Sequence, residues 1–179
     1  MDHNIQYIAI LGAGESGVGA ALLAQAKGYT PFVSDKGAIK LPFEKELQKH
    51  KIEFESGQHS EERILSADLI IKSPGIPESV PLVKAALRKG IKVISEIEFA
   101  GWFTNKKMIC ITGSNGKTTT TMWIHHILNK AGVEVAVAGN IGESLARQVI
   151  EDIPDVYVVE LSSFQLDGIY DFKPDIAIL

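Results

Sequence analysis

The segment Thr112-Gly113-Ser114-Asn115-Gly116-Lys117-Thr118-Thr119 carries the residue types that hold a nucleotide's phosphates. An apolar run before it, Met108-Ile109-Cys110-Ile111, reads as a buried strand, and the residues from Thr120 to Ala131 read as a helix. Backbone N–H groups at such a turn face an anion, and the helix dipole adds favourable potential. Lys117 is placed to neutralise the β- and γ-phosphates, and the Thr118 hydroxyl to ligate Mg²⁺. The spacing Gly-x-x-Gly-Lys-Thr is tighter than the Walker form, whose first glycine position is held here by Ile111. The competing reading is an ordinary strand-to-helix turn with a surface lysine.

Four further segments follow strand ends. Gly12-Ala13-Gly14-Glu15-Ser16-Gly17 is a G-x-G-x-x-G turn, and Asp35 about twenty residues on can bind a ribose hydroxyl. Alone, this turn fits NAD, another nucleotide, or a structural role. Lys72-Ser73-Pro74-Gly75-Ile76-Pro77 is a stiff loop in which Ser73 and the Gly75 N–H can donate to a phosphate or sugar, or simply form a rigid turn. Asn140, in Gly139-Asn140-Ile141-Gly142, can bond a substrate, although capping a helix near Ser144 is the default reading. Glu160, ending the run Val158-Val159-Glu160, suits the Walker-B role of holding Mg²⁺; a solvated glutamate is the alternative. His125 and His126 are adjacent on a helix and share no face, so they make a poor metal pair, and Trp102 and Trp123 read as packing residues.

The elements that must position these groups alternate. Strands are expected at Tyr7 to Leu11, Thr30 to Ser34, Ile52 to Glu55, Leu69 to Lys72 and Lys92 to Ile94. Helices fit at Gly17 to Lys27, Glu44 to Lys51, Ser60 to Leu65, Val80 to Lys89 and Glu96 to Phe103. A second series of strands follows at Met108 to Ile111, Glu134 to Ala138, Tyr157 to Leu161 and Ile176 to Leu179. The fold class is therefore α/β: a Rossmann-like parallel-sheet unit over 1–95, then a P-loop-type parallel-sheet unit over 96–179. The chain stops at a strand end, so the second unit is expected to be incomplete.

Composition bounds the rest. The 179 residues are 45% hydrophobic and 22% charged, with net charge −4, ordinary for a globular protein. No basic stripe is present, which speaks against a nucleic-acid partner. The single cysteine, Cys110, cannot form an internal disulfide and suits a reducing cytoplasm. Met1-Asp2-His3-Asn4 lacks a basic leader and no apolar stretch reaches membrane-spanning length. The expectation is a soluble cytoplasmic protein without membrane association.

In this order, Thr112 to Thr119, Gly139-Asn140-Ile141-Gly142 and Glu160-Leu161-Ser162-Ser163-Phe164-Gln165 resemble the Mur ligases, ATP-dependent amide-forming enzymes of peptidoglycan precursor synthesis. The Gly12 to Gly17 turn, Ser34-Asp35 and Ser73-Pro74-Gly75-Ile76 look most like the D-glutamate-adding branch. The resemblance covers essentially the whole chain. It implies that Gly14, Glu15, Ser16 and Gly17 meet the diphosphate of UDP-N-acetylmuramoyl-L-alanine, with Asp35 at the uracil end. Lys36, Ser73, Pro74 and Gly75 belong to the same site, and Asn140, Ser162 and Gln165 would face the muramoyl-alanine part. Gly113, Ser114, Asn115, Gly116, Lys117, Thr118 and Thr119 would hold ATP, Thr118 and Glu160 the Mg²⁺, and Lys117 and Glu160 would be catalytic. Gly57-Gln58-His59 also looks familiar, without an assigned role.

The implied reaction has two steps. The substrate carboxylate attacks the γ-phosphate of ATP, and D-glutamate's amine then displaces phosphate from the acyl phosphate. Positive charge at Lys117 and the metal would offset the repulsion between two anions. The resemblance further implies a full-length monomer whose second metal site and amino-acid domain lie beyond Leu179, so the chain alone is expected to be inactive. Open alternatives are a sister ligase for another amino acid, an NAD-dependent dehydrogenase, and a non-catalytic nucleotide-sugar-binding module.

Overall fold

A computed structural model describes residues 5–179; the reading of Met1 to Asn4 concerns residues outside this range. Strands β1 (Tyr7–Leu11), β2 (Thr30–Asp35), β3 (Glu53–Ser56), β4 (Leu69–Lys72) and β5 (Lys92–Ser95) form one parallel sheet in the order β3-β2-β1-β4-β5. Helices α1 (Glu15–Ala26), α2 (Leu41–Lys49), α3 (Glu61–Ile64) and α4 (Pro81–Arg88) connect them in sequence. Ile8, Ala9, Ile10 and Leu11 are all buried, because helices cover both faces of β1. After β3 the chain returns to the far side of β1, so the order reverses between β1 and β4. Crevices form at such switch points, outside the carboxyl ends of the strands.

Helix α5 (Glu96–Gly101) leads to a second parallel sheet made of β6 (Lys107–Ile111), β7 (Val135–Gly139), β8 (Val156–Glu160) and β9 (Ile176–Ile178), ordered β7-β8-β6-β9. Its helices are α6 (Lys117–Lys130), α7 (Leu145–Val149) and the short α8 (Ser163–Leu166). Sequence reading did not foresee α8. It is held by a capping box in which the Ser162 hydroxyl accepts from the Gln165 N–H and Gln165 Oε1 accepts from the Ser162 N–H.

The two sheets meet through α1. Every residue from Gly17 to Ala24 is buried, so this helix is apolar on all sides and has protein on all sides. A Cβ on Gly19 would collide with the Ser144 hydroxyl at the start of α7, so the helices approach closely because residue 19 has no side chain. One apolar cluster consequently runs from Ile8, Val18 and Leu23 through Phe99 to Leu145, Tyr157 and Val159. Cys110 lies within it, as its strand position implied.

Candidate functional site

A cleft of about 910 Å³ opens at the switch point of the first sheet and extends to the second unit. The Gly12 turn forms one edge: Gly12 has φ +94°, and a Cβ there would strike the Ser73 side chain. A Cβ on Gly17 would fall within contact distance of the Gly12 carbonyl, so this glycine lets α1 start directly beneath the turn. Gly14, Glu15 and Ser16 line the cleft, whereas the buried Gly17 does not. Gly17 shapes the turn from below rather than from the cleft wall.

Asp35 and Lys36, at the end of β2, and Ser73, Pro74 and Gly75, following β4, also line the cleft. Asp35 Oδ2 accepts the Ala13 N–H at 2.7 Å and Oδ1 accepts the Gly37 N–H at 2.8 Å. It thus ties the turn after β1 to the turn after β2, a bracing role that sequence reading did not give it. Glu15 has a similar second duty. Its carboxylate accepts from the Ser144 N–H at 3.0 Å and from Arg147 Nε at 2.9 Å, joining α1 to α7. Burial alone would raise its pKa, but the hydrogen bonds from Arg147 and Ser144 hold it below the usual carboxylate range.

The far wall of the cleft comes from Gly139, Asn140, Gly142 and Gln165 of the second unit. Ser162 lies next to it as the cap of α8, with its hydroxyl turned to Gln165. Asn140 does not cap α7; Ser144 does, accepting from the Arg147 N–H. Instead the Asn140 side-chain amide donates to Glu160 Oε1 at 2.7 Å. Thr118 Oγ1 donates to the other oxygen, Glu160 Oε2, also at 2.7 Å. This convergence follows from strand register, because Glu160 pairs with Ile111 on one side and Gly139 on the other.

The loop from Thr112 to Thr119 turns on two glycines and opens into α6. Gly113 has φ +131° and Gly116, the N-cap of α6, has φ +79° in the left-handed region. The first amides of α6 belong to the N–H groups that no helix can satisfy internally. Lys117 Nζ donates to the Gly113 carbonyl at 2.6 Å, so its charge is folded over the loop. Ser114, Asn115, Thr118 and Thr119 are exposed. The Thr118 and Glu160 oxygens suit Mg²⁺: their 2.7 Å separation is close to the ~3 Å between neighbouring oxygens of an octahedral site. Among the described residues no three His, Cys, Asp or Glu side chains gather into a metal cage. A pair of oxygen ligands is the arrangement used when phosphates complete the shell.

Two buried glutamates of α5 escaped the sequence reading. Glu96 is fully buried, accepts the Ala146 N–H at 2.5 Å through Oε1, and leaves Oε2 without a partner among the described residues. Burial, with the nearby Glu15 charge, pushes its carboxyl up to about 7. Glu98 accepts from the N–H groups of Tyr170, Asp171 and Phe172 and from Trp102 Nε1, pinning the loop after α8 to α5. Their only sequence signal was a pair of glutamates in an otherwise apolar helix. Gly57, Gln58 and His59 line the cleft beside Asp35. Trp102 packs against Phe99 as expected, but Trp123 stands 69% exposed on α6, since that helix turns Thr121 inward and Trp123 outward.

Comparison with known proteins is consistent with this architecture. Residues 6–95 match the family model "Mur ligase MurD-like, N-terminal domain", and residues 111–179 match "Mur ligase middle domain". The chain is 59% identical over all 179 residues to a UDP-N-acetylmuramoylalanine--D-glutamate ligase of Porphyromonas gingivalis, of which it spans 40%. It is 61% identical over 176 residues to the protein of the same name in Cytophaga hutchinsonii, covering 97% of this chain and 39% of that one. The chain thus spans about two fifths of the length of these curated relatives. A solved UDP-N-acetylmuramate:L-alanyl-gamma-D-glutamyl-meso-diaminopimelate ligase from Neisseria meningitides shares the fold, with TM-score 0.64 and 21% identity over 98% of this chain and 60% of that one. These matches leave the dehydrogenase reading of the Gly12 turn without support. With its first half fitting one Mur ligase domain and most of its second half fitting the next, the chain belongs to the Mur ligase family.

Proposed function

We propose that residues 1–95 bind the uridine-diphosphate end of UDP-N-acetylmuramoyl-L-alanine, and that residues 96–179 belong to the ATP-binding unit of a cytoplasmic ligase that joins D-glutamate to it. One observation carries this reading. The cleft beside the Gly12 turn is closed on its far side by Asn140, which bonds the same carboxylate, Glu160, that Thr118 reaches from the phosphate loop. A nucleotide-sugar in the cleft therefore brings its far end to the place where a nucleotide's γ-phosphate would lie. The names of the 59% and 61% identical relatives support the choice of substrates.

In this reading Gly14, Ser16, Ser73 and Gly75 offer hydrogen-bond donors to the diphosphate, and Asp35 and Lys36 border the nucleoside end. Lys117 leaves the Gly113 carbonyl for the phosphate oxygens of ATP, exchanging a neutral acceptor for a charged one. Thr118 and Glu160 hold Mg²⁺, which, when bound, neutralises charge on the phosphates. Asn140, Ser162 and Gln165 orient the muramoyl-alanine carboxylate. The gain is electrostatic and positional: fixed positive groups face charge that grows on the transferring phosphoryl group.

Calorimetric titration of the chain with UDP-N-acetylmuramoyl-L-alanine and with NADH tests the first unit. The expected result is saturable binding of the UDP compound and none of NADH. Binding of NADH alone would overturn the reading.

A further inference from the structure

Residues 167–172, between α8 and β9, run along the end of the first sheet and are fastened there. The Gly168 carbonyl accepts the Ser95 N–H at 2.9 Å, at the point where β5 passes into α5 with no intervening loop. Gly168 has φ +83°, and a Cβ on it would meet the Ser95 nitrogen at 2.9 Å, so a glycine lets the segment lie this close. Glu98 then takes three successive amides. Its Oε2 accepts from the N–H groups of Tyr170 at 2.9 Å, Asp171 at 3.1 Å and Phe172 at 3.0 Å, and its Oε1 from Trp102 Nε1 at 3.1 Å. The Phe172 ring fills the space that a Cβ on Gly101 would need. Successive N–H groups that converge make an anion-binding concavity, and a carboxylate, all acceptor and no donor, suits it. Burial works against the Glu98 charge, but the bonds from Tyr170, Phe172, Trp102 and Asp171 outweigh it and hold the carboxyl below the usual range.

What this fastening does for the cleft follows from α8. That helix is a single turn with little apolar anchorage of its own, since Phe164 is 64% exposed and Leu166 42%. Its place is set by the chain on either side, β8 before it and residues 167–172 after it. Yet α8 carries Gln165, which lines the cleft. Gln165 Oε1 is taken up by the Ser162 N–H and hydroxyl, so the amide Nε2 is the group this side chain can offer a ligand. A donor on so short a helix is only as well placed as the segment that ends it.

Glu98 itself is buried and does not line the cleft, and the nucleotide end is braced separately by Asp35. Resting on the nucleotide-sugar reading of the cleft, we propose that Glu98 is a positioning residue. By holding residues 170–172 against α5, it aims the Gln165 amide at the muramoyl-alanine part of the ligand and leaves recognition of the nucleotide untouched.

The test compares UDP with UDP-N-acetylmuramoyl-L-alanine on the 179-residue chain by calorimetry. The wild-type chain should bind the full compound more tightly, and the ratio of the two affinities reads the far wall alone. Glu98→Gln replaces one accepting oxygen by an NH₂ that faces the backbone donors. It should leave UDP affinity within about twofold and cut the ratio about tenfold, as loss of one bond to a charged group requires. Amide exchange at Tyr170, Asp171 and Phe172 should quicken in the same variant. Gln165→Ala should cut the ratio equally, and adding Glu98→Gln to it should cost nothing more, because the first effect runs through the second. Gly168→Ala, which strains the segment's other anchor, should give the same selective loss with Glu98 intact, and it serves if Glu98→Gln does not fold. An equal fall in affinity for both compounds would make Glu98 a purely structural residue and overturn the role. So would an undiminished ratio, an additive loss in the double variant, or a wild-type chain that gains nothing from the sugar. No binding of UDP at all would instead remove the uridine reading, and this role with it.

Discussion

Arg147 Nε donates to Glu15 Oε1 at 2.9 Å, joining the residue that opens α1 to helix α7 of the second unit. The same guanidinium reaches Glu46 of α2 at 2.5 Å. One arginine thus clasps two helices of the first unit. Arg147→Ala should lower the urea midpoint by an amount equivalent to roughly 1–3 kcal/mol, because two carboxylates lose charge-assisted bonds. Arg147→Lys should recover little of it, since an ammonium cannot reproduce the two-sided fork. Full recovery by lysine would mean that charge alone matters.

Gly139 ends β7 with φ +101°, and a Cβ there would run into the Glu160 carbonyl and the Val159 side chain. Gly139→Ala should therefore displace Glu160 as well as strain the backbone. The expected result is loss of Mg²⁺-dependent ATP binding at a temperature where far-ultraviolet circular dichroism still reports a folded chain. Unchanged nucleotide affinity in this variant would show that Glu160 is not held by the strand end.

Lys117 bonds the Gly113 carbonyl, a contact of little structural weight on a part-buried loop. Lys117→Ala should leave the melting temperature within a few degrees of wild type while weakening Mg·ATP binding about tenfold or more, as loss of a charge-assisted bond requires. A large stability loss with unchanged ATP affinity would place Lys117 in the scaffold instead.

Glu96 gives a pH prediction. Its carboxyl ionises near the ordinary 4.5 in the unfolded chain but is held protonated to about 7 by burial in the fold. Between these values the folded state binds the extra proton, so stability falls as pH rises through this window and levels off above it, by at most roughly 3 kcal/mol. Glu15, Glu55 and Glu98 have lowered values and act in the opposite sense: the stability they contribute is lost as pH falls below the ordinary carboxylate range. Glu96→Gln isolates the first effect. Its melting temperature relative to wild type should climb between about pH 5 and pH 8, and a constant difference would contradict the assignment.

Cys110 is buried in the shared core, where burial, aided by the Asp175 charge, pushes its thiol up to about 12. It should resist iodoacetamide at about pH 8 in the folded chain and react at once in urea. Rapid alkylation without denaturant would indicate opening of the β6–β9 edge.

The sheets were legible in the sequence because parallel strands covered on both faces leave continuous apolar runs. Each strand from β1 to β9 begins within one residue of its expected start, β3 with its alternating glutamates included. The loop from Thr112 to Thr119 stood out for a different reason: outside a phosphate cradle, little in protein architecture calls for glycine, lysine and threonine at these fixed offsets. Residues whose role depends on distant partners were not legible. Nothing near Glu15 in sequence points to Arg147, 132 positions away, and nothing near Glu98 points to the Tyr170–Phe172 amides. Asn140 was read by default as the cap of a helix near Ser144, but Ser144 itself is the cap and Asn140 turns to Glu160, a strand end twenty residues on. Trp123 misled because aromatic size argues for burial whichever way a helix faces.

The pairing of Glu160 with Ile111 on one side and Gly139 on the other makes β8 a ruler inside the second sheet. Successive side chains on a strand point to opposite faces, so a slip of one residue would offer Thr118 and Asn140 a valine or a leucine in place of the carboxylate. The placement of a charged oxygen is thus counted out by a ladder of backbone bonds among apolar residues that never meet a ligand. Single-residue insertions in β8 should be far less tolerated than insertions in the loop before it. A repacked core that keeps the count should keep the chemistry.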